Sequence, residues 1–89
     1  MKINKISVSF GAQEKIFKKH SIKRDEIEAV FFDEPYYFKA KGRRYIAIGF
    51  VEKYVTIVFA YDDKEAEIIT AYPSSDWQIK LFKRKKGKK

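Results

Sequence analysis

The 89-residue chain contains no cysteine, one histidine, four glycines and two prolines. Without cysteine it can form neither a disulfide framework nor a thiolate metal site, so we expect a reducing, cytoplasmic location. The glycines are scattered, and no glycine-rich phosphate-binding loop is present. We interpret one acidic group as a hairpin turn and strand face rather than a metal cage: Asp62, Asp63, Glu65 and Glu67. We therefore expect no metal and no cofactor.

Long apolar runs are also absent. Charged residues interrupt the first twenty positions at Lys2, Lys5, Glu14 and Lys15, so we expect no signal-peptide core and no membrane-spanning helix there or later. Apolar residues nevertheless make up 45% of the chain and aromatic residues 17%, which excludes a wholly disordered protein. A chain of this length supports one modest core. We expect a single folded domain with no membrane partner.

Positive charge is concentrated at the C-terminal end. The formal net charge is +8, but residues 80–89 carry seven of the twenty basic residues and no acidic one. Residues 1–79 then hold thirteen basic and twelve acidic side chains, which nearly balance. This distribution predicts one domain over residues 1–82 and a basic, flexible tail over 83–89. Such a tail can contact a phosphate backbone or simply keep the protein soluble, and the sequence leaves both open.

Helical patterns occur in three places. Apolar residues at helical spacing predict helices over 13–20, over 24–32 and in a short stretch after residue 75. The last helix begins with a capping-box pattern, in which Ser75 is followed three residues later by Gln78. We expect its Trp77 and Leu81 to share one face.

Strand patterns account for most of the remaining residues. Alternation predicts a first strand from Lys2 to Phe10, ended by Gly11. Four further strands follow in close succession, joined by short hairpin-like turns: Tyr36–Lys41, Arg44–Phe50, Tyr54–Tyr61 and Ala66–Tyr72. The economical arrangement is an α+β domain, in which two N-terminal helices pack on a mainly antiparallel sheet of four to five strands and a short helix ends the chain.

The end of the last predicted strand is rich in hydroxyl groups. Alternation places Ile68, Thr70 and Tyr72 on one face of the strand and Ile69 and Ala71 on the other, and two serines follow closely. Hydroxyl groups donate hydrogen bonds to anionic oxygens without adding charge, so this strand end suits a phosphate-handling site. A strand that leaves the core through a proline turn gives the same pattern.

Other side chains have two interpretations each. His20 ends the first predicted helix, where the dipole favours a cation, but imidazole also suits a general base or acid for a ribose hydroxyl. Arg43 and Arg44 follow a glycine at a hairpin, where they can bind phosphate through their forked donors or remain solvated. Six aromatic residues are candidates for base stacking or for the core: Tyr36, Tyr37, Phe38, Tyr45, Tyr54 and Tyr61.

The succession of several segments resembles the BrnT family, which comprises ribonuclease toxins of type II toxin–antitoxin pairs with a RelE-like fold. The segments are Lys19–Ile22, Asp25–Phe31, Arg44–Gly49, Val55–Tyr61 and Ile68–Ser75. The last of them is also similar to the final strand of the wider barnase–EndoU–colicin–RelE superfamily of metal-independent ribonucleases. The resemblance implies a RelE-like domain, an RNA substrate and a cognate antitoxin of ribbon-helix-helix type.

Carried over residue by residue, the resemblance implies the catalytic residues His20, Arg44, Thr70 and Tyr72. Where the family's last strand carries two arginines, this chain has Glu67 and Tyr72. From their charge and position we expect six basic residues to contact RNA: Lys15, Lys19, Lys41, Arg43, Lys83 and Arg84.

The leading hypothesis is an endoribonuclease toxin that works without a metal and cleaves RNA by attack of a 2′-OH on the adjacent phosphate. The alternative is a non-catalytic module on the same fold that binds RNA or an antitoxin. A third interpretation is an interaction domain for partner binding or operon repression. A homodimer and a toxin–antitoxin hetero-oligomer both remain open as assemblies.

Overall fold

In a computed structural model, which describes residues 1–87, three helices flank a five-stranded sheet. The elements are β1 (Lys5–Ser7), α1 (Phe10–His20), α2 (Arg24–Phe32), β2 (Tyr36–Lys39), β3 (Arg44–Val51), β4 (Lys53–Asp62), β5 (Glu65–Pro73) and α3 (Asp76–Lys86). The strands lie in the order β1-β5-β4-β3-β2, and only the β1–β5 pair is parallel. The predicted α+β class is confirmed. No helix within residues 1–87 is long and apolar enough to cross a membrane.

The N-terminal boundary differs from the prediction. β1 has three residues, and α1 begins at Phe10 rather than after Gly11. The physical reason is the cap at Ser9, whose side-chain oxygen accepts a hydrogen bond of 3.1 Å from the backbone N–H of Ala12. The chain therefore turns into a helix at Phe10, and the strand predicted from Lys2 to Phe10 is confirmed only over Lys5–Ser7.

The two faces of the sheet are covered differently. α1 and α2 pack on one face, which we call the core face, and their hydrophobic core consists of Ile16, Ile22, Ile27, Val30, Ala47, Val55, Ile57, Phe59, Ala66, Ile68 and Ala71. α3 packs on the opposite face, which we call the outer face. There Phe82 is buried and its ring meets that of Tyr54 edge-on, with 5.9 Å between centroids.

A β-bulge in β5 changes which residues share a face. Phe59 pairs with Ile68 but its neighbour Val58 pairs with Thr70, so Ile69 is an extra residue in the ladder. As a result Ile68 and Ala71 both lie in the core, whereas strict alternation would separate them. The prediction that Ile68 shares a face with Thr70 is therefore wrong. Thr70 and Tyr72 do share one, the outer face, because their partners on β4 are two residues apart.

α3 confirms its predicted start, and the face that it buries is not the one that carries Trp77 and Leu81. The backbone N–H of Ser75 donates to Oε1 of Gln78 over 2.9 Å, as the capping-box pattern requires. Gln78 and Phe82 are the buried residues, four apart on one face, whereas Trp77 is 59% exposed. α3 also continues through Lys86, so residues 83–86 are helical, not the flexible tail predicted there. The end of that tail, residues 88–89, lies outside the described residues.

Candidate functional site

Three successive rows of side chains form the middle of the outer face. The first row, Tyr36–Ile48–Thr56–Tyr72, lies under or beside α3, and both Ile48 and Thr56 are fully buried. The second row is Phe38–Ile46–Val58–Thr70, in which every side chain remains partly exposed. The third is Arg44–Ala60–Glu67. A shallow surface therefore adjoins α3, with Thr70 at one end of its middle row and two charged residues beyond it.

A polar network joins α3 to the first row. Thr56 Oγ1 donates to Gln78 Oε1 over 3.0 Å and lies 2.7 Å from Ser74 Oγ. Gln78 Nε2 donates to the Tyr72 hydroxyl oxygen over 3.0 Å. Because the single Thr56 proton goes to Gln78, the Ser74 hydroxyl is the donor in its contact with Thr56. All the buried side-chain nitrogen and oxygen atoms within residues 1–87 have a partner.

This network fixes which of the two side chains donates in the hydrogen bond between Gln78 and Tyr72. The backbone N–H of Ser75 can only donate, so the Gln78 atom it meets must be the carbonyl oxygen, and the amide nitrogen must face Tyr72. The Tyr72 oxygen therefore accepts from Gln78, and its own proton is left for another acceptor. Tyr72 is thus held as a hydrogen-bond donor at the edge of the outer face.

His20 lies beside Tyr72. α1 ends at His20 because Ser21 adopts a left-handed conformation, with φ of 57°. The backbone N–H of Ser21 donates a hydrogen bond of 2.8 Å to the carbonyl oxygen of Phe17. The imidazole and phenol rings are 6.4 Å apart between centroids and tilted by 55°. β1 pairs with Glu65–Glu67 only, so this part of the β5 edge borders α1 instead of another strand. Two groups able to transfer protons therefore meet at one corner of the sheet.

Arg44 lies apart from this pair. It is exposed and occupies the row next to that of Thr70, two strands away. With standard strand spacings its Cα is about 12 Å from that of Thr70 and about 17 Å from that of Tyr72. The structure thus brings His20 and Tyr72 together and puts Thr70 and Arg44 on the same face, but the four residues do not form one contacting cluster.

The six basic residues expected to contact RNA are exposed and lie in three places. Lys15 and Lys19 are on α1, Lys41 and Arg43 are in the turn between β2 and β3, and Lys83 and Arg84 are on α3. Lys83 Nζ lies 5.8 Å from the centre of the Tyr54 ring, a cation–π contact. Their role toward RNA stays a prediction.

Sequence reasoning did not identify Gln78 and Thr56 as part of the site. The capping-box pattern predicted only the local bond from Gln78 to Ser75, and its second role depends on how α3 crosses the sheet. Thr56 could have been found from the sequence, because it is a hydroxyl residue between Val55 and Ile57 in an apolar strand. A hydroxyl buried in that position requires a hydrogen-bond partner.

Comparisons with known proteins bear on the fold. The sequence matches no family model, and no curated protein matches it either. The structure is similar to the 1.1 Å crystal structure of the ribonuclease toxin BrnT from Brucella abortus, with a TM-score of 0.69 and 20% sequence identity. The similarity covers 81% of this chain and 97% of that one. The chain therefore has a BrnT-like fold, as the resemblance of its segments implied.

Proposed function

We propose that this protein is a metal-independent endoribonuclease and the toxin of a toxin–antitoxin pair. The observation that carries the proposal is the proximity of the His20 and Tyr72 rings, together with the bond from Gln78 that leaves the Tyr72 proton for another acceptor. The BrnT-like fold supports it, since that neighbour is a ribonuclease toxin. Cleavage of RNA without a metal needs one group to take a proton and another to give one, and this corner of the sheet holds both.

In the proposed reaction the neutral imidazole of His20 takes the proton of a ribose 2′-OH. The 2′-oxygen attacks the adjacent phosphorus, the bond from phosphorus to the 5′-oxygen breaks, and the leaving oxygen takes the proton of Tyr72. The products are a 2′,3′-cyclic phosphate and a free 5′-OH. Histidine is the side chain that acts most often as a general base, so we assign the base to His20 and not to Tyr72.

Two other side chains would stabilise the charge that develops on the phosphate. The half-buried hydroxyl of Thr70 can donate to a non-bridging oxygen from the second row. Arg44 would bind the phosphate of a neighbouring nucleotide, because its Cα lies too far away to share the atoms at His20. The antitoxin, for which we propose a ribbon-helix-helix partner, would cover this face.

A second candidate function is RNA or antitoxin binding without cleavage. The observation that favours it is Glu67, an exposed acidic residue in the same row as Arg44 on the outer face. A carboxylate there opposes a reacting phosphate at a position where the family's last strand carries an arginine, whereas the basic residues of α1, of α3 and of the turn between β2 and β3 remain able to bind RNA.

RNA cleavage in the presence of EDTA separates the two functions. We expect cleavage by the unchanged protein, and a loss of about 100-fold or more in His20→Ala, since a general base contributes on that scale. Thr70→Ala should lower the rate less. Glu14→Ala, an exposed change on the same helix as His20, is the matched control and should leave the rate unchanged. RNA binding without cleavage would favour the second function, and neither activity would contradict both.

A further inference from the structure

Trp77 is an exposed aromatic residue next to the candidate site. It is the only tryptophan of the chain, lies in the first turn of α3 and keeps 59% of its surface exposed. In the part of the chain that the structure describes, its indole makes no ring contact and no side-chain hydrogen bond. The neighbouring residue in sequence, Gln78, holds the Tyr72 hydroxyl. The exposed indole is therefore one residue away from the side chain that orients Tyr72.

The helix geometry gives the side to which Trp77 points. An α-helix turns about 100° per residue, so Trp77 projects about 100° to one side of Gln78 and Lys83 about 140° to the other. The Lys83 side faces Tyr54, which lies at the start of β4 and away from the second row. Trp77 therefore projects from the opposite flank of α3, toward the partly exposed row that ends at Thr70.

The charge of α3, the helix that carries Trp77, indicates the kind of ligand. α3 carries five basic residues and one acidic residue, Asp76. Both salt bridges found within residues 1–87 are made by other elements, so neither neutralises a cation of α3. An apolar protein partner would make no favourable contact with these cations. A single-stranded polyanion with flat, unpaired rings can bind the cations through its phosphates and stack on the indole through its rings.

We propose that Trp77 stacks on an unpaired base of single-stranded RNA bound across the outer face. The proposal rests on the proposed function, because it takes RNA as the ligand, and it adds a base-binding position to a site otherwise built for phosphate. Stacking on an aromatic ring tolerates every base, so Trp77 contributes affinity and position along the strand more than sequence selectivity. The flexible strand is thereby anchored on one side of the phosphate that approaches His20.

The lone tryptophan makes the test direct, because selective excitation of indole reports on Trp77 alone. The probe is a short single-stranded 2′-O-methyl oligonucleotide, which cannot be cleaved since its 2′-oxygens carry no proton. We expect it to quench the fluorescence saturably, and a chain of abasic sugar phosphates of the same length to quench much less. Binding is measured separately by the anisotropy of a labelled oligonucleotide.

Substitution gives the matching affinity test. Trp77→Ala should weaken binding of the oligonucleotide by about 5- to 100-fold, whereas Trp77→Phe, which keeps a ring, should retain most of the affinity. Phe32→Ala is the matched control, because Phe32 is 86% exposed and lies on α2, against the other face of the sheet. It should bind the oligonucleotide as the unchanged protein does.

Three outcomes would overturn the inference, and they differ in what they say about the proposed function. If Trp77→Ala binds and cleaves RNA normally, the inference is wrong and the proposed function stands. If Trp77→Ala alters only the oligomeric state, measured by sedimentation, the indole contacts protein instead. If the unchanged protein neither binds nor cleaves RNA, the proposed function fails as well.

Discussion

At the scale of single residues, the central feature is a hydrogen bond whose direction cannot be reversed. Gln78 Oε1 is occupied by two donors, the Thr56 hydroxyl and the Ser75 N–H, which leaves its amide nitrogen for Tyr72. The same amide therefore begins α3 and orients a side chain of the site. Because Gln78 both caps α3 and positions Tyr72, the proposed chemistry depends on the correct folding of α3.

Gln78→Glu tests this orientation with almost no change of volume. A carboxylate can still accept from Thr56 and Ser75, but toward Tyr72 it becomes an acceptor, so Tyr72 would donate to it instead of to RNA. We expect the cleavage rate at saturating RNA to fall by about tenfold or more, while binding of an uncleavable oligonucleotide changes far less. Full cleavage activity in a folded Gln78→Glu protein would show that the direction of this bond does not matter.

At the scale of elements, α2 and β3 approach unusually closely at Gly49. A Cβ at this position would lie 2.7 Å from Cγ1 of Val30 and 3.4 Å from Cβ of Pro35. Val30 is fully buried and branched at Cβ, so it has little freedom to move aside. The close approach helps to hold the helical hairpin, and with it His20, against the sheet.

A pair of glycine substitutions tests this packing. Gly49→Ala should lower the free energy of unfolding by about 1–3 kcal/mol, as overpacking of a core does. Gly11→Ala is the matched control, because nothing lies within 4 Å of its added Cβ, and in α1 it should stabilise by up to about 1 kcal/mol. Urea denaturation of the two variants measures both values. Equal stabilities would contradict the close approach.

The elements also show what the sequence could predict. Periodicity located α2, the four later strands and the start of α3, because each pattern reflects one buried face. It failed at Ile68 and Ile69, since two adjacent apolar residues do not reveal which of them a bulge leaves out of the ladder. It did not say which face of α3 is buried, because that face is set by the sheet beneath it, where Phe82 meets Tyr54. The candidate site was likewise only partly predictable. The family resemblance proposed His20 and Tyr72, but only the tertiary structure shows that they lie close together.

At the scale of the whole molecule, charge is arranged around the outer face and not uniformly upon it. Basic residues come from α1, from the turn between β2 and β3, and from α3, whereas Glu67 lies on the face itself. An extended polyanion that crosses the outer face would meet favourable charge at its ends and unfavourable charge at Glu67, with Asp62 and Glu65 in the row beyond it. Although the net charge is +8, the outer face therefore also carries negative charge that repels a polyanion locally.

Removing this acidic charge should strengthen RNA binding. Glu67→Gln is expected to raise the affinity for a single-stranded oligonucleotide about twofold at low salt, the effect of one charge about 10 Å away in water. The gain should shrink as salt shortens the screening length. Glu14→Gln, on α1 against the core face, is the matched control and should change the affinity less. A Glu67→Gln protein with unchanged or weaker affinity would place the RNA elsewhere.

The identity of the RNA product tests the proposed reaction most directly. Purified protein is incubated with single-stranded RNA in EDTA, and the new 3′ ends are analysed beside those from His20→Ala. We expect 2′,3′-cyclic phosphate ends from the unchanged protein and almost none from His20→Ala. Cleavage that stops in EDTA, or that continues undiminished in His20→Ala, would contradict the proposed reaction.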